Sequence, residues 1–111
     1  MKYVMFVCTD PSAETYDPAL DNVEEWVSQM DKSGKRVMGQ RLAPVEEAFT
    51  VRKRKGKVIV TRGAFAETVE WIAGFDILEC ATIEEATEIA AQHPMARMGR
   101  IEVRAFWQPD H

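Results

Sequence analysis

Cysteine and histidine are scarce in this chain. Each occurs twice, as Cys8, Cys80, His93 and His111, with no CxxC pair. Neither histidine has a Cys, Asp or Glu at ligand spacing, so the sequence predicts no metal, no cofactor and no disulfide framework, with both thiols reduced. Long apolar runs are also missing: nothing approaches the ~20 residues needed to cross a bilayer. The apolar stretch Lys2–Cys8 is rich in β-branched and aromatic residues and runs into Asp10-Pro11, which suits a first strand better than a leader. There is no internal repeat, linker or low-complexity segment. An excess of positive charge is absent as well; the net charge of −4 disfavours nucleic acid and anionic membrane as partners. A cytoplasmic protein of one domain, residues 1–111, is the expectation.

What is present is an alternating series of strands and helices. Lys2–Cys8 is apolar on both parities, with Tyr3, Met5 and Val7 against Val4, Phe6 and Cys8, as in a strand covered on both faces. Asp17-Pro18 has the form of a helix N-cap followed by proline at the first position, and Leu20, Val23, Trp26, Val27 and Met30 follow at helical spacing up to Gly34. Arg36–Leu42 is a strand. Phe49–Lys53 and Lys57–Thr61 flank Arg54-Lys55-Gly56 as a hairpin. Trp71–Cys80 alternates as a further strand. Thr82 and Glu85 form a capping box for a helix that Pro94 stops. Ile101–Trp107 closes the chain, with Ile101, Val103 and Ala105 opposite Glu102, Arg104 and Phe106.

This order is β-α-β-(β-β)-β-α-β, a ferredoxin-like β-α-β-β-α-β fold of the α+β class with an inserted β-hairpin. Two helices cover one face of such a sheet, yet several strands are apolar on both. A second copy is the simplest cover, giving a homodimer through the sheet faces and a dimeric α+β barrel. The first strand and Trp71–Cys80 are expected to be central and parallel, with Cys8 and Cys80 near each other as reduced core residues.

Candidate chemistry concentrates at two places. In Thr61–Cys80, Gly63 would let backbone N–H groups approach a ligand, Arg62 would pair an anion, Phe65 would plug the turn, and Glu67 would accept a proton. Asp76 interrupts an apolar strand on the face of Ile72, Gly74 and Leu78; set against a dimer partner it would be desolvated, with Arg104 or Arg41 as its cation. A pocket lined by Asp76, Glu102 and Arg104 is the sharp expectation, and a structural ion pair the plain one. Glu67 and Asp76 are the catalytic candidates. The basic run Arg52-Lys53-Arg54-Lys55-Gly56-Lys57 would suit a phosphate backbone, but the chain lacks the aromatic consensus of RNA-binding ferredoxin-like domains, so a solvated hairpin tip is preferred. His93, at a helix C-terminus, is assigned to the helix dipole.

Thr61-Arg62-Gly63-Ala64-Phe65-Ala66-Glu67-Thr68 resembles the signature of the YCII-related family, in the subgroup named for an Asp-Gly-Pro-Phe (DGPF) motif. Lys2-Tyr3-Val4-Met5, Gly39-Gln40-Arg41-Leu42-Ala43-Pro44, Gly74-Phe75 and His93–Arg104 carry the likeness over nearly the whole chain. The resemblance implies a ferredoxin-like fold and a dimeric barrel; with the candidate residues above, the expectation is a homodimer that binds a small, possibly anionic metabolite in a cleft between the sheet and the 62–68 loop, used either by an enzyme or by a non-catalytic ligand-binding or regulatory module. Arg62 and Ala64 replace the motif's Asp and Pro, and Asn22-Val23 and Met98 stand where relatives often carry His.

Overall fold

The computed structural model describes residues 1–63 and 70–109. Six strands and three helices follow one another as β1 (Lys2–Cys8), α1 (Val23–Lys32), β2 (Arg36–Arg41), β3 (Phe49–Arg54), β4 (Lys57–Arg62), β5 (Ile72–Glu79), α2 (Ile83–Ala91), α3 (Met95–Met98) and β6 (Arg100–Ala105). Four strands form one sheet in the order β2-β5-β1-β6, and β3-β4 form a separate two-stranded sheet. Every described pairing is antiparallel, consistent with a ferredoxin-like α+β fold.

That antiparallel pairing corrects the expected position of the two thiols. Lys2 lies opposite Glu79 and Cys8 opposite Ile72, while the Cys80 amide donates to the Met1 carbonyl. Cys8 and Cys80 therefore sit at opposite ends of the β1–β5 ladder. In a split β-α-β unit the two strands joined by a helix are separated by a third running the other way, so β1 and β5 must oppose one another.

One face of the large sheet carries the core. Tyr3, Met5, Val7 and Leu78 project from β1 and β5 onto Trp26 and Met30 of α1 and Ala86, Ile89 and Ala90 of α2. Trp26 is fully buried, and its indole N–H donates to the Ile89 carbonyl at 3.0 Å, tying the two helices together. Thr82 caps α2 by accepting from the Glu85 amide, while the Glu85 carboxylate accepts from the Ala81 amide and from Lys35. The opposite face holds Val4 beside Ile77 and Phe6 beside Phe75, all half-buried, and no described helix lies over it.

The first helix starts later than its Asp-Pro signal suggests. Asp17 accepts from the Ala19 amide and caps only a single 3₁₀ turn, Pro18–Leu20. Asp21 then takes extended backbone and turns its carboxylate onto the Val23 amide and the Tyr16 hydroxyl. This side-chain hydrogen bonding competes with helix continuation and delays α1 to Val23. It also sets Tyr16 and Asp21 beside the sheet.

Candidate functional site

A cleft of about 630 Å³ opens between β2, β5, α1 and the start of α3. Its polar lining comes from Tyr16, Asp21, Arg36, Gln40, Arg41, Asp76 and His93, set among apolar side chains such as Val7, Val27 and Met95. A concave, largely apolar site with a few converging polar groups is the usual form of a small-molecule pocket.

Asp76 is the part of this site that the sequence flagged. It is only 6% exposed. In the β1 ladder it lies opposite fully buried Met5, so it faces the helices and not the open side of the sheet. Its cation is neither Arg104 nor Arg41. Arg36, from the first residue of β2, donates through Nε to Asp76 Oδ1 at 2.8 Å and through Nη1 to Asp31 of α1 at 3.1 Å. Burial pushes the Asp76 carboxyl above its ordinary range, and Arg36 only partly offsets this. Gly39 lets the carboxylate lie flat on β2: a Cβ there would run into Asp76 Oδ1 and into the Phe75 carbonyl.

The sign of that shift gives a measurable result. A carboxyl raised in the folded state keeps its proton longer than in the unfolded chain, so its contribution to stability is lost as pH rises from its ordinary 3.8 through the raised value. In Asp76→Asn the amide oxygen can still accept from Arg36, and the substitution is expected to cost about 1–2 kcal/mol at pH 4. The deficit should shrink as pH rises to 7. Denaturant titrations across that range would show the trend; a growing deficit would mean that the Arg36 pair outweighs burial.

His93 is the residue that sequence reasoning undervalued. It does not sit as an exposed cation at the end of α2. It is 6% exposed, edge-on to Trp26 with ring centroids 4.8 Å apart. Burial lowers its pKa to about 4, with the Asp21 charge acting weakly the other way. The Met95 amide donates to Nδ1 at 3.0 Å. With Nδ1 accepting, the neutral ring carries its proton on Nε2. His93 lines the cleft as a neutral ring that keeps one N–H donor, and it is a poor base near neutral pH. Across the mouth, the Tyr16 hydroxyl donates to Asp21 Oδ2 at 2.7 Å, which raises the phenol's pKa. Arg41 lines the same cleft and makes no ion pair among the described residues.

The other expected site residues lie elsewhere. Arg62 is committed to the hairpin base, donating to the Glu46 carbonyl at 3.3 Å with its guanidinium over the Phe49 ring. Gly63 serves a turn: its φ is +108°, its amide donates to the Ala48 carbonyl, and its own carbonyl accepts from Thr50. Glu102 and Arg104 pair with Phe6 and Val4 of β1 and so share the open face, across the sheet from Asp76. The structure does not bring these three together. Phe65, Glu67 and His111 lie outside the described residues. Among the described residues no group of His, Cys, Asp and Glu is placed to hold a metal. Cys8 meets Arg100 across the ladder, but burial dominates and holds its thiol up.

The YCII-related domain model matches residues 1–108. This chain belongs to the YCII-related family. A relative from Rhizobium meliloti (strain 1021), named Uncharacterized protein R00369, is 38% identical over 82 residues, covering 70% of this chain and 66% of that protein. Among solved structures, 5-chloro-2-hydroxyhydroquinone dehydrochlorinase (TftG) from Burkholderia phenoliruptrix AC1100, in complex with 2,5-dihydroxybenzoquinone, superposes with a TM-score of 0.52 over 100% of this chain and 98% of its own. At 13% identity that likeness concerns the fold alone. In this YCII-related chain, Asp76 was legible because a carboxylate broke an apolar alternation. Arg36, Tyr16, Asp21 and His93 carried no local signal: their roles come from packing between segments far apart in sequence. No described helix is long and apolar enough to cross a membrane.

Proposed function

We propose that this YCII-related protein binds a small oxygen-bearing, anionic metabolite in the cleft between β2, β5 and α1, and that it does so as a homodimer. The observation that carries the reading is His93, a buried neutral imidazole that lines a cleft shared with Arg41 and, with Nδ1 accepting from Met95, keeps Nε2–H as its donor. Such a donor polarises a carbonyl or steadies an enolate oxygen without itself taking a proton, and Arg41 supplies the countercharge. Asp76, a carboxyl with raised pKa at the same wall, is the candidate proton acceptor, which makes proton transfer on the bound molecule the favoured chemistry. The non-catalytic reading is supported by the firm engagement of Asp76 with Arg36, which ties this candidate base into a structural pair. The open sheet face, with Val4, Phe6, Phe75 and Ile77, supports the homodimer and the dimeric barrel, since aliphatic and aromatic rows of this kind gain from cover. The Arg62–Phe65 stretch, with its Gly and Phe kept, supports placement in the DGPF subgroup.

2,5-Dihydroxybenzoquinone, a compact dianion with ring oxygens, is a suitable first probe. Calorimetry at pH 7 is expected to show 1:1 binding per chain, weakened about tenfold or more by Arg41→Ala or by His93→Gln, as for loss of a charge-assisted hydrogen bond. Binding unchanged in both variants would remove the cleft as the site. Solvent-deuterium exchange into bound ligand separates the two readings: exchange abolished by Asp76→Asn marks an enzyme, and binding without exchange marks a module.

A further inference from the structure

Two guanidiniums, Arg36 and Arg41, and two carboxyls, Asp21 and Asp76, line the cleft. They are not equally available to a ligand. Arg36 is engaged, with Nε on Asp76 and Nη1 on Asp31. Arg41 makes no ion pair among the described residues. One available guanidinium balances one negative charge on a ligand. A second ligand charge would fall against a carboxyl with nothing to offset it. The cleft therefore matches a monoanion.

Hydrogen bonding adds a second condition. Asp21 Oδ1 accepts from the Val23 amide at 3.2 Å, and Oδ2 accepts from the Tyr16 hydroxyl at 2.7 Å. Both oxygens are held in place, yet each keeps a further lone pair. The bonds that delay α1 thus leave a carboxylate oriented before any ligand arrives, so little ordering remains to be lost on binding. Asp21 shares its corner of the cleft with the anion-binding groups. Burial lowers the His93 pKa, and the charge that opposes it comes from Asp21. The bond to Asp21 raises the Tyr16 phenol, and Arg41 acts on that phenol in the other direction. A bare ligand oxygen at this corner would meet a carboxylate, whereas a hydroxyl would donate to it. Sites built to bond a ligand hydroxyl discriminate strongly against analogues that lack it.

We propose that the ligand is a small hydroxy acid, a monoanion whose acid oxygen meets Arg41 and whose hydroxyl donates to Asp21. This deepens the cleft reading above and rests on it. Asp21 selects the hydroxyl, and Tyr16 is the residue that positions Asp21. Calorimetry of the full chain at pH 7 would compare the three hydroxybenzoate isomers, all monoanions, with benzoate, which lacks the hydroxyl, and terephthalate, a dianion. The best hydroxybenzoate is expected to bind at least tenfold tighter than either. Asp21→Asn should cut that ratio to about threefold or less, and Tyr16→Phe, a change at an exposed side chain, should lower it at least threefold. A merely structural role would weaken every ligand alike and leave the ratio standing. Should Asp21→Asn fail to fold, the ratio in Tyr16→Phe decides alone. Benzoate or terephthalate bound as tightly as the hydroxybenzoates, or a ratio unmoved by the substitutions, would overturn the hydroxyl assignment. So would failure of every benzoate to bind while 2,5-dihydroxybenzoquinone still binds through Arg41, an outcome that leaves the cleft reading intact. Binding of all these probes that is absent, or indifferent to Arg41→Ala, would remove both.

Discussion

Acidification from pH 6.5 to 4 is expected to cost this protein about 3 kcal/mol at most through His93 alone. In the unfolded chain the imidazole takes a proton near its ordinary 6.5; in the folded chain it stays neutral down to about 4. A lowered folded-state pKa means that the unfolded state binds more protons across that window. The contribution is whole above pH 6.5 and is lost as pH falls through it. The gap between the two pKa values sets the upper bound, at 1.36 kcal/mol per unit. In His93→Phe a ring still fills the space beside Trp26, but the Met95 amide loses its acceptor, so the variant should be about 1–3 kcal/mol less stable at pH 7. It should also lose the acid-sensitive limb, so that its deficit closes by pH 4. Urea titrations of both proteins at half-unit steps would measure this. A wild-type profile that is flat from 6.5 to 4 would place His93 in water, and with it the donor role proposed for the cleft.

Gly39→Ala is expected to be the most damaging single-methyl change in the sheet. The new Cβ would occupy space now held by the Asp76 carboxyl and by the Phe75 carbonyl. The backbone obstacle cannot rotate away, and the carboxyl is pinned by Arg36. Either the Arg36–Asp76 pair separates inside the protein, or β2 lifts from β5. Overpacking together with disruption of a buried ion pair points to about 3 kcal/mol or more, roughly a 10–15 °C fall in melting temperature for a domain of this size. Binding in the cleft should fall with it, since Gly39 and Asp76 share that wall. The mechanism is checked by a double-mutant cycle: with Asp76 first cut to Ala, the added methyl should cost markedly less. Costs that simply add would show that the Asp76 contact is not what makes this position glycine.

The pattern of success in the sequence follows the range of the interactions. Strand faces, the Thr82 cap, the hairpin around Gly56 and the hidden apolar side of β1 are encoded within a few residues and were legible. Which of two apolar faces the helices would cover was not, because Tyr3–Met5–Val7 and Val4–Phe6 are equally hydrophobic, and that choice put Asp76 on the wrong side of the sheet. Its partner Arg36 is 40 positions away, placed by strand register. His93 looked like an ordinary helix-end residue because its burial is made by Trp26 from the other helix. Asp21 delayed α1 through a side-chain bond that a pattern of apolar spacing does not register.

The place of β1 between β5 and β6 has a kinetic consequence. β1 precedes both of its neighbours in the chain and finds them only after residues 72–79 and 100–105 exist. Nascent chains on the ribosome therefore carry an unpaired apolar strand until β5 and β6 have been made, exposed to chaperones and to one another. Such long sequence separations slow the search for the native topology. Arrested chains ending before residue 100 should remain protease-sensitive, and the domain should acquire resistance in one late step.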